Sequence, residues 1–226
     1  MLGSSFYDEV LRQHGVVNLA EAAAAFSRAT AHCDNLVKVH RRAGTGGQGR
    51  RFIEVSVNRA VIVIAVACWQ SVVQDLTKVL LDASMPAKGS PGWGTANLLA
   101  GRVSSEIGKF STPNAENTRT LLQSAGFDAR PSWTWSTGRF GRDTLTPTQV
   151  ESRLAEWLKI RHAIAHGHEH MPCVGVLQAV TPKSQPQDPP IRLVDAIQCL
   201  NFVRRLAQVT ADGVASHLGV PLETFH

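Results

Sequence analysis

Apolar positions recur at helical spacing through most of this chain. Between residues 19 and 42, Ala22, Phe26, Ala29, Cys33, Leu36 and Val37 keep that spacing, and the segment closes on a basic cluster, Lys38-Val39-His40-Arg41-Arg42. Residues 1–18 carry weaker signals: Met1 to Ser5 reads as a frayed end and Tyr7 to Arg12 as a short helical arm. A second long helix is expected over 55–82. Its β-branched start (Val55, Val57, Val61, Ile62, Val63) would also suit a strand. Length and the later pattern of Val66, Trp69, Val73, Leu76 and Leu80 decide for a buried helix, which Met85-Pro86 and the glycines after it break.

A shorter helix is expected over 95–110, ending near Gly108. Ser111-Thr112-Pro113-Asn114 opens another, which carries Leu121 and Leu122 and stops at Gly126. Residues 127–145 read as an irregular connection. Thr146-Pro147-Thr148-Gln149 then supplies an N-cap, a proline at the first helical position and a capping-box glutamine. In the helix that follows, Val150, Leu154, Trp157 and Ile164 fall within about 40° of one line. A Pro/Gln-rich loop, 181–190, leads to a last helix over 191–218, striped by Leu193, Ile197, Leu200, Val203, Leu206, Val209, Val214 and Leu218. No repeat and no convincing sheet emerges. The expected fold is an all-α helical bundle with long connecting loops: the bundle proper over 55–226, and an N-terminal helical arm with a basic Gly-rich linker, 1–54, packed on it.

Composition narrows the class. A hydrophobic content of 43% with 18% charged residues is that of a globular chain, not a disordered one. The net charge of +5 suits a polyanion such as RNA, although many unrelated proteins share it. Cys33, Cys68, Cys173 and Cys199 are far apart with no C-x-x-C pair, and no signal peptide is recognisable. They read as reduced thiols of a cytoplasmic protein. The strongest apolar run, Val61 to Trp69, is too short to span a bilayer. Gly44-Thr45-Gly46-Gly47-Gln48-Gly49 matches G-x-G-x-x-G, but it follows a helix rather than a strand and no Gly-Lys-Ser/Thr comes after it. It reads as a flexible linker. The arginines around it, Arg41, Arg42, Arg50 and Arg51, are candidates for contact with a phosphate backbone.

The most informative stretch is Arg161-His162-Ala163-Ile164-Ala165-His166-Gly167. Arg161 falls in the middle of the apolar stripe, where an unpaired buried charge costs several kcal/mol or so. An arginine there calls for an acidic partner, a wet cleft or an anionic ligand. Arg161-His162-x-x-x-His166 resembles the R-x4–6-H motif of the HEPN superfamily, including the polar residue directly after the arginine. Two further stretches are similar to its RiboL-PSP-type branch. One is Asn58-Arg59-Ala60-Val61-Ile62-Val63-Ile64-Ala65 with Trp69 and Asp75-Leu76. The other is Lys109-Phe110-Ser111-Thr112-Pro113-Asn114 with Asn117, Leu121, Leu122 and Gly126. The resemblance covers roughly 55–218 in order. Where such proteins often carry a glutamate after the tryptophan, this chain has Gln70, which leaves the ionic partner of Arg161 unassigned.

The resemblance implies a small all-α bundle that dimerises and brings both copies of the motif into one basic cleft. It implies a metal-independent endoribonuclease, without cofactor, that leaves 2′,3′-cyclic phosphate and 5′-hydroxyl ends. Such a protein would act as a toxin or antiphage effector, with an antitoxin or defence-system protein as a further partner. Some members are non-catalytic modules that bind RNA, a nucleotide or a protein, and that reading stays beside the first. The residue types suit the chemistry. Histidine titrates near neutrality and serves as base or acid, and arginine's planar fork fits phosphate oxygens. His166 is assigned to proton transfer, Arg161 to the phosphate, and His162 to RNA positioning or a second proton transfer.

Arg161 and His166 lie five residues apart, about 140° around an ideal helix, so they converge only if the helix ends near Gly167 or a second copy completes the site. His162, His166 and His170, with His168 and Cys173 nearby, could instead hold zinc, but no H-E-x-x-H arrangement accompanies them. On the ribonuclease reading, His168 and His170 are solvated residues past the helix end. Trp133 and Trp135 are expected to pin their loop to the bundle rather than stack bases.

Overall fold

The computed structural model describes residues 3–43, 51–137 and 143–222, with side-chain surroundings defined over 19–42, 53–137 and 143–222. Its helices are α1 (Gly3–Ala43), α2 (Arg51–Ser84), α3 (Trp93–Lys109), α4 (Ala115–Ser124), α5 (Pro147–Ala165) and α6 (Leu193–Leu218). The fold is mostly α, as the periodicity demands. Two details differ from expectation at the N-terminal end. The first helix is continuous from Gly3, and α2 begins at Arg51, inside the segment expected to be linker.

α2 is the axis. Val61, Ile62, Ala65, Val66, Trp69, Val72, Val73, Leu76, Val79 and Leu80 are all buried, and they occupy more than one face of the helix. A helix apolar on several faces must be covered on several sides. α1 covers one, α6 another, and α5 packs beside them. Each fully buried valine or leucine contributes about 1.5–3 kcal/mol relative to exposure. The stretch Ile53–Ser84 is long and apolar enough to cross a membrane by length and composition, unlike the nine-residue run that stands out in the sequence. More than half of its most apolar window is nevertheless buried inside the bundle.

Trp69 ties α2 to the rest. Its ring is fully buried, its Nε1 donates to the Pro113 carbonyl at 3.1 Å, and its ring meets Trp133 edge-on at 6.5 Å between centroids. Trp133 is also fully buried. Its Nε1 donates to Thr210 Oγ1 at 3.0 Å, so it pins the connection 127–145 to α6, as expected of a loop tryptophan.

That connection is more regular than expected. It holds a 3₁₀ turn, Arg130–Ser132, and a two-stranded antiparallel ribbon of β1 (Trp135–Thr137) and β2 (Asp143–Leu145), with Trp135 opposite Leu145. Three-residue strands are too short to show a period of two, which is why the ribbon is invisible in the pattern.

α5 starts as its sequence dictates. Gln149 N–H donates to Thr146 Oγ1, and Thr146 N–H donates to Gln149 Oε1 at 2.9 Å. α6 starts at Leu193, capped by Asp195. The carboxylate of Asp195 is fully buried and accepts from the N–H groups of Arg192 and Gln178, both at 2.7 Å. Two charge-assisted bonds of this kind satisfy it and fix the loop before α6 to the helix start.

α6 passes very close to the 3₁₀ turn at Gly213. A Cβ there would collide with Ser132 Oγ and press on the Phe127 ring. Gly213→Ala is expected to destabilise the fold by about 1–3 kcal/mol through overpacking, read as a lower urea midpoint. An unchanged midpoint would show that the 3₁₀ turn yields freely.

A candidate active site at the end of α5

The buried face of α5 is not a straight stripe. Val150, Leu154 and Trp157 are buried, and then Ile160 and Ala163 take over, while Ile164 is only half-buried. Each three-residue step falls about 60° short of a full turn. From Trp157 to Ala163 the core-facing line therefore swings by about 120°, away from Arg161. Arg161 is half-buried at the edge rather than on the packing face, and among the described residues no carboxylate pairs with it. The expectation of a buried arginine is corrected by Ile160, whose insertion rotates the interface.

Gln70 has a different task from the one its position in the resemblance suggests. Its Nε2 donates to the Phe110 carbonyl at 2.8 Å, and Gln74 Nε2 donates to the Ile107 carbonyl at 2.9 Å. Two amides on α2 thus bond to carbonyls at the C-terminal end of α3, that of Ile107 in addition to its bond from the Phe110 N–H. A carboxylate cannot donate, so glutamine is the side chain this contact requires.

The C-terminus of α5 closes in a Schellman turn. Gly167 adopts φ +64°, where an L side chain is strained. Its N–H donates to the Ile164 carbonyl at 3.2 Å, and His168 N–H reaches back to the Ala163 carbonyl at 2.9 Å. The turn folds the chain back on the last turn of the helix and brings three imidazoles together. The rings of His162 and His166 lie 4.1 Å apart between centroids, His162 and His168 5.6 Å, and His166 and His168 6.3 Å. His168 is therefore exposed but returned to the site, not simply a residue past the helix end. The sequence signal for it is Gly167 itself, because a left-handed glycine reverses the chain within one residue.

A groove of about 610 Å³ runs beside this cluster, between α5 and the α3–α4 connection. Lys159, His162, His168 and His170 line it, with Thr112 and Asn114 on the opposite wall. Lys159 has no helical-period signature, yet it stands on the same face as His162, one turn earlier. His170 Nδ1 lies 3.9 Å from Asp188 Oδ2. Arg161 and His166 do not line the groove: His166 enters through His162, and Arg161 only through its charge. Helical geometry up to Ala165 keeps their angular separation, so the C-terminal turn alone does not unite them.

Arg41 and Arg42 are exposed on the last turn of α1 and do not line the groove either. Arg50, the glycines 44–49 and the Arg51 side chain lie outside the described residues. Among the described residues, no group of three or more His, Cys, Asp or Glu side chains is placed to hold a metal ion. Cys33, Cys68 and Cys199 are buried, whereas Cys173 is exposed.

The pKa of His162 is lowered from the ordinary imidazole value. Partial dehydration beside its neighbours comes first, then the charges of His166, His168 and Arg161. A depressed value keeps the ring neutral, and able to accept a proton, to lower pH than a free histidine.

Titration of the imidazole protons by NMR is expected to place the His162 midpoint below about 6.5. His168→Ala removes one positive neighbour and should move that midpoint upward; no movement would show that the rings do not sense each other. Gln70→Glu should cost about 1–3 kcal/mol by leaving the Phe110 carbonyl unpaired beside a carboxylate, checked by thermal unfolding. Compared with known families, curated proteins and solved structures, the chain matches none, so the chemistry of this site is read from its own side chains.

Proposed function

We propose that this protein is an endoribonuclease of the HEPN type, cutting RNA by attack of the 2′-hydroxyl on the adjacent phosphate. The observation that carries the reading is the convergence of His162, His166 and His168 at the end of α5. The reaction needs one group to take the 2′-hydroxyl proton and another to return a proton to the departing 5′-oxygen. It also needs a cation for the phosphorane between them. His162, kept neutral by its surroundings, is the base. His166 or His168 is the acid. Lys159 stands on the groove wall for the phosphate, and Arg161 reaches it from a second copy of the chain. The P–O5′ bond breaks as the P–O2′ bond forms, leaving a 2′,3′-cyclic phosphate and a 5′-hydroxyl.

Purified protein in EDTA is expected to cleave end-labelled RNA to cyclic-phosphate ends. His166→Ala and His162→Ala should each lower the rate by about 10²–10⁴, and Arg161→Ala by about 10²–10³, with unfolding curves like wild type. Mixing the Arg161→Ala and His166→Ala proteins should recover activity that neither shows alone if the arginine crosses between copies. Cleavage abolished by EDTA would replace this reading with metal chemistry. Absence of cleavage alongside retained RNA binding would replace it with a non-catalytic module.

A further inference from the structure

On a different side of α5 lies a larger groove, about 950 Å³, walled by the β1–β2 ribbon, the first half of α5, the turn at Gly175–Val176 and the middle of α6. Its volume is at the upper end of small-molecule sites. None of the histidines lines it.

Three kinds of side chain meet there. Trp135 gives an aromatic wall, its half-buried ring tilted against Phe202 at 5.9 Å between centroids. Arg153 from α5 and Arg205 from α6 contribute two exposed guanidinium groups. Gln198 and Asn201, one turn apart on α6, present side-chain amides. Among the described residues, these two arginines and two amides make no ion pair or hydrogen bond with the protein.

The polar groups that build the walls are, by contrast, engaged. Glu156 Oε2 accepts from Val176 N–H at 2.9 Å. Asp195 holds the N–H of Gln178. Thr134 Oγ1 donates to the Leu145 carbonyl at 2.9 Å, which, with the pairing of Trp135 opposite Leu145, sets the ribbon against the groove. A groove with fixed walls and polar side chains left unpaired suits a small polar ligand. Two guanidiniums against the single Glu156 carboxylate leave the described lining net positive.

The combination selects a chemical class. A planar ring stacks on an aromatic wall, the donor and acceptor edge of a heterocycle pairs with side-chain amides, and a phosphate is held by arginine forks. We infer that the groove between the β1–β2 ribbon and α5–α6 is a nucleotide-binding site, separate from the histidine groove. The base lies against Trp135, its edge on Gln198 and Asn201, and the phosphate between Arg153 and Arg205.

The test is calorimetric titration of the whole protein with AMP, GMP, CMP and UMP, beside quenching of tryptophan fluorescence. At least one mononucleotide is expected to bind, with Kd raised tenfold or more in Arg153→Ala/Arg205→Ala and in Trp135→Ala. Trp135→Phe should retain most of the affinity, which separates stacking from a folding defect. His162→Ala should leave binding unchanged. Four outcomes would overturn the inference: no binding of any of the four at millimolar concentration, binding indifferent to both arginines, binding lost in His162→Ala, or binding confined to single-stranded RNA oligonucleotides.

Discussion

A helix that is apolar on several faces cannot be left at a surface, and α2 imposes that condition on everything around it. Burying Val61 to Leu80 requires neighbours on more than one side. α1 and α6 supply the two largest, and α5 and the α3–α4 connection fill the remainder. The polar links follow the same demand. Trp69 bonds to Pro113, Gln70 and Gln74 bond to the end of α3, and Trp133 bonds to Thr210. Each satisfies a donor or acceptor that close packing would otherwise strand, at about 1–3 kcal/mol apiece.

The candidate catalytic end of α5 is the place where packing lets go. The core-facing line swings from Trp157 through Ile160 to Ala163, and the residues it leaves behind are Arg161 and the exposed histidines. The Schellman turn at Gly167 then reverses the chain, so residues six apart in sequence become neighbours in space. Crowding does the rest. Partial dehydration of the His162 ring, and then the charges of His166, His168 and Arg161 around it, disfavour its protonated form, which is the physical origin of its depressed value.

The two faces of α5 use their polar groups differently from the loops that abut them. Asp195 and Glu156 are tied to backbone N–H groups and hold loops in place. Lys159, Arg153 and Arg205 carry no such duty among the described residues. Carboxylates paired with backbone give rigid walls, and unpaired cations on those walls give a positive surface suited to phosphate. Rigidity and recognition thus come from separate residues.

Local signals in the chain determined the main helical segments, the mostly α class and the start of α5, because these depend on local forces: apolar spacing, a proline at N1 and a capping box. A glycine marked the stop at Gly167 as well, since a left-handed glycine closes that turn comfortably. The β1–β2 ribbon, the half-buried position of Arg161 and the α3-capping role of Gln70 were decided by tertiary structure. The ribbon and the Gln70 contact depend on partners outside their own element, Leu145 across from Trp135 and Phe110 forty residues from Gln70, and Arg161 stands at the edge because the core takes up Ile160 and Ala163 rather than Ile164. The histidines show both levels. Their spacing on α5 is written in the chain, but His168 joins them only because the turn brings it back, and Lys159 gains a groove only because the α3–α4 connection supplies the other wall. A one-dimensional pattern records which side chains share a helix face; it carries no record of what lies opposite that face.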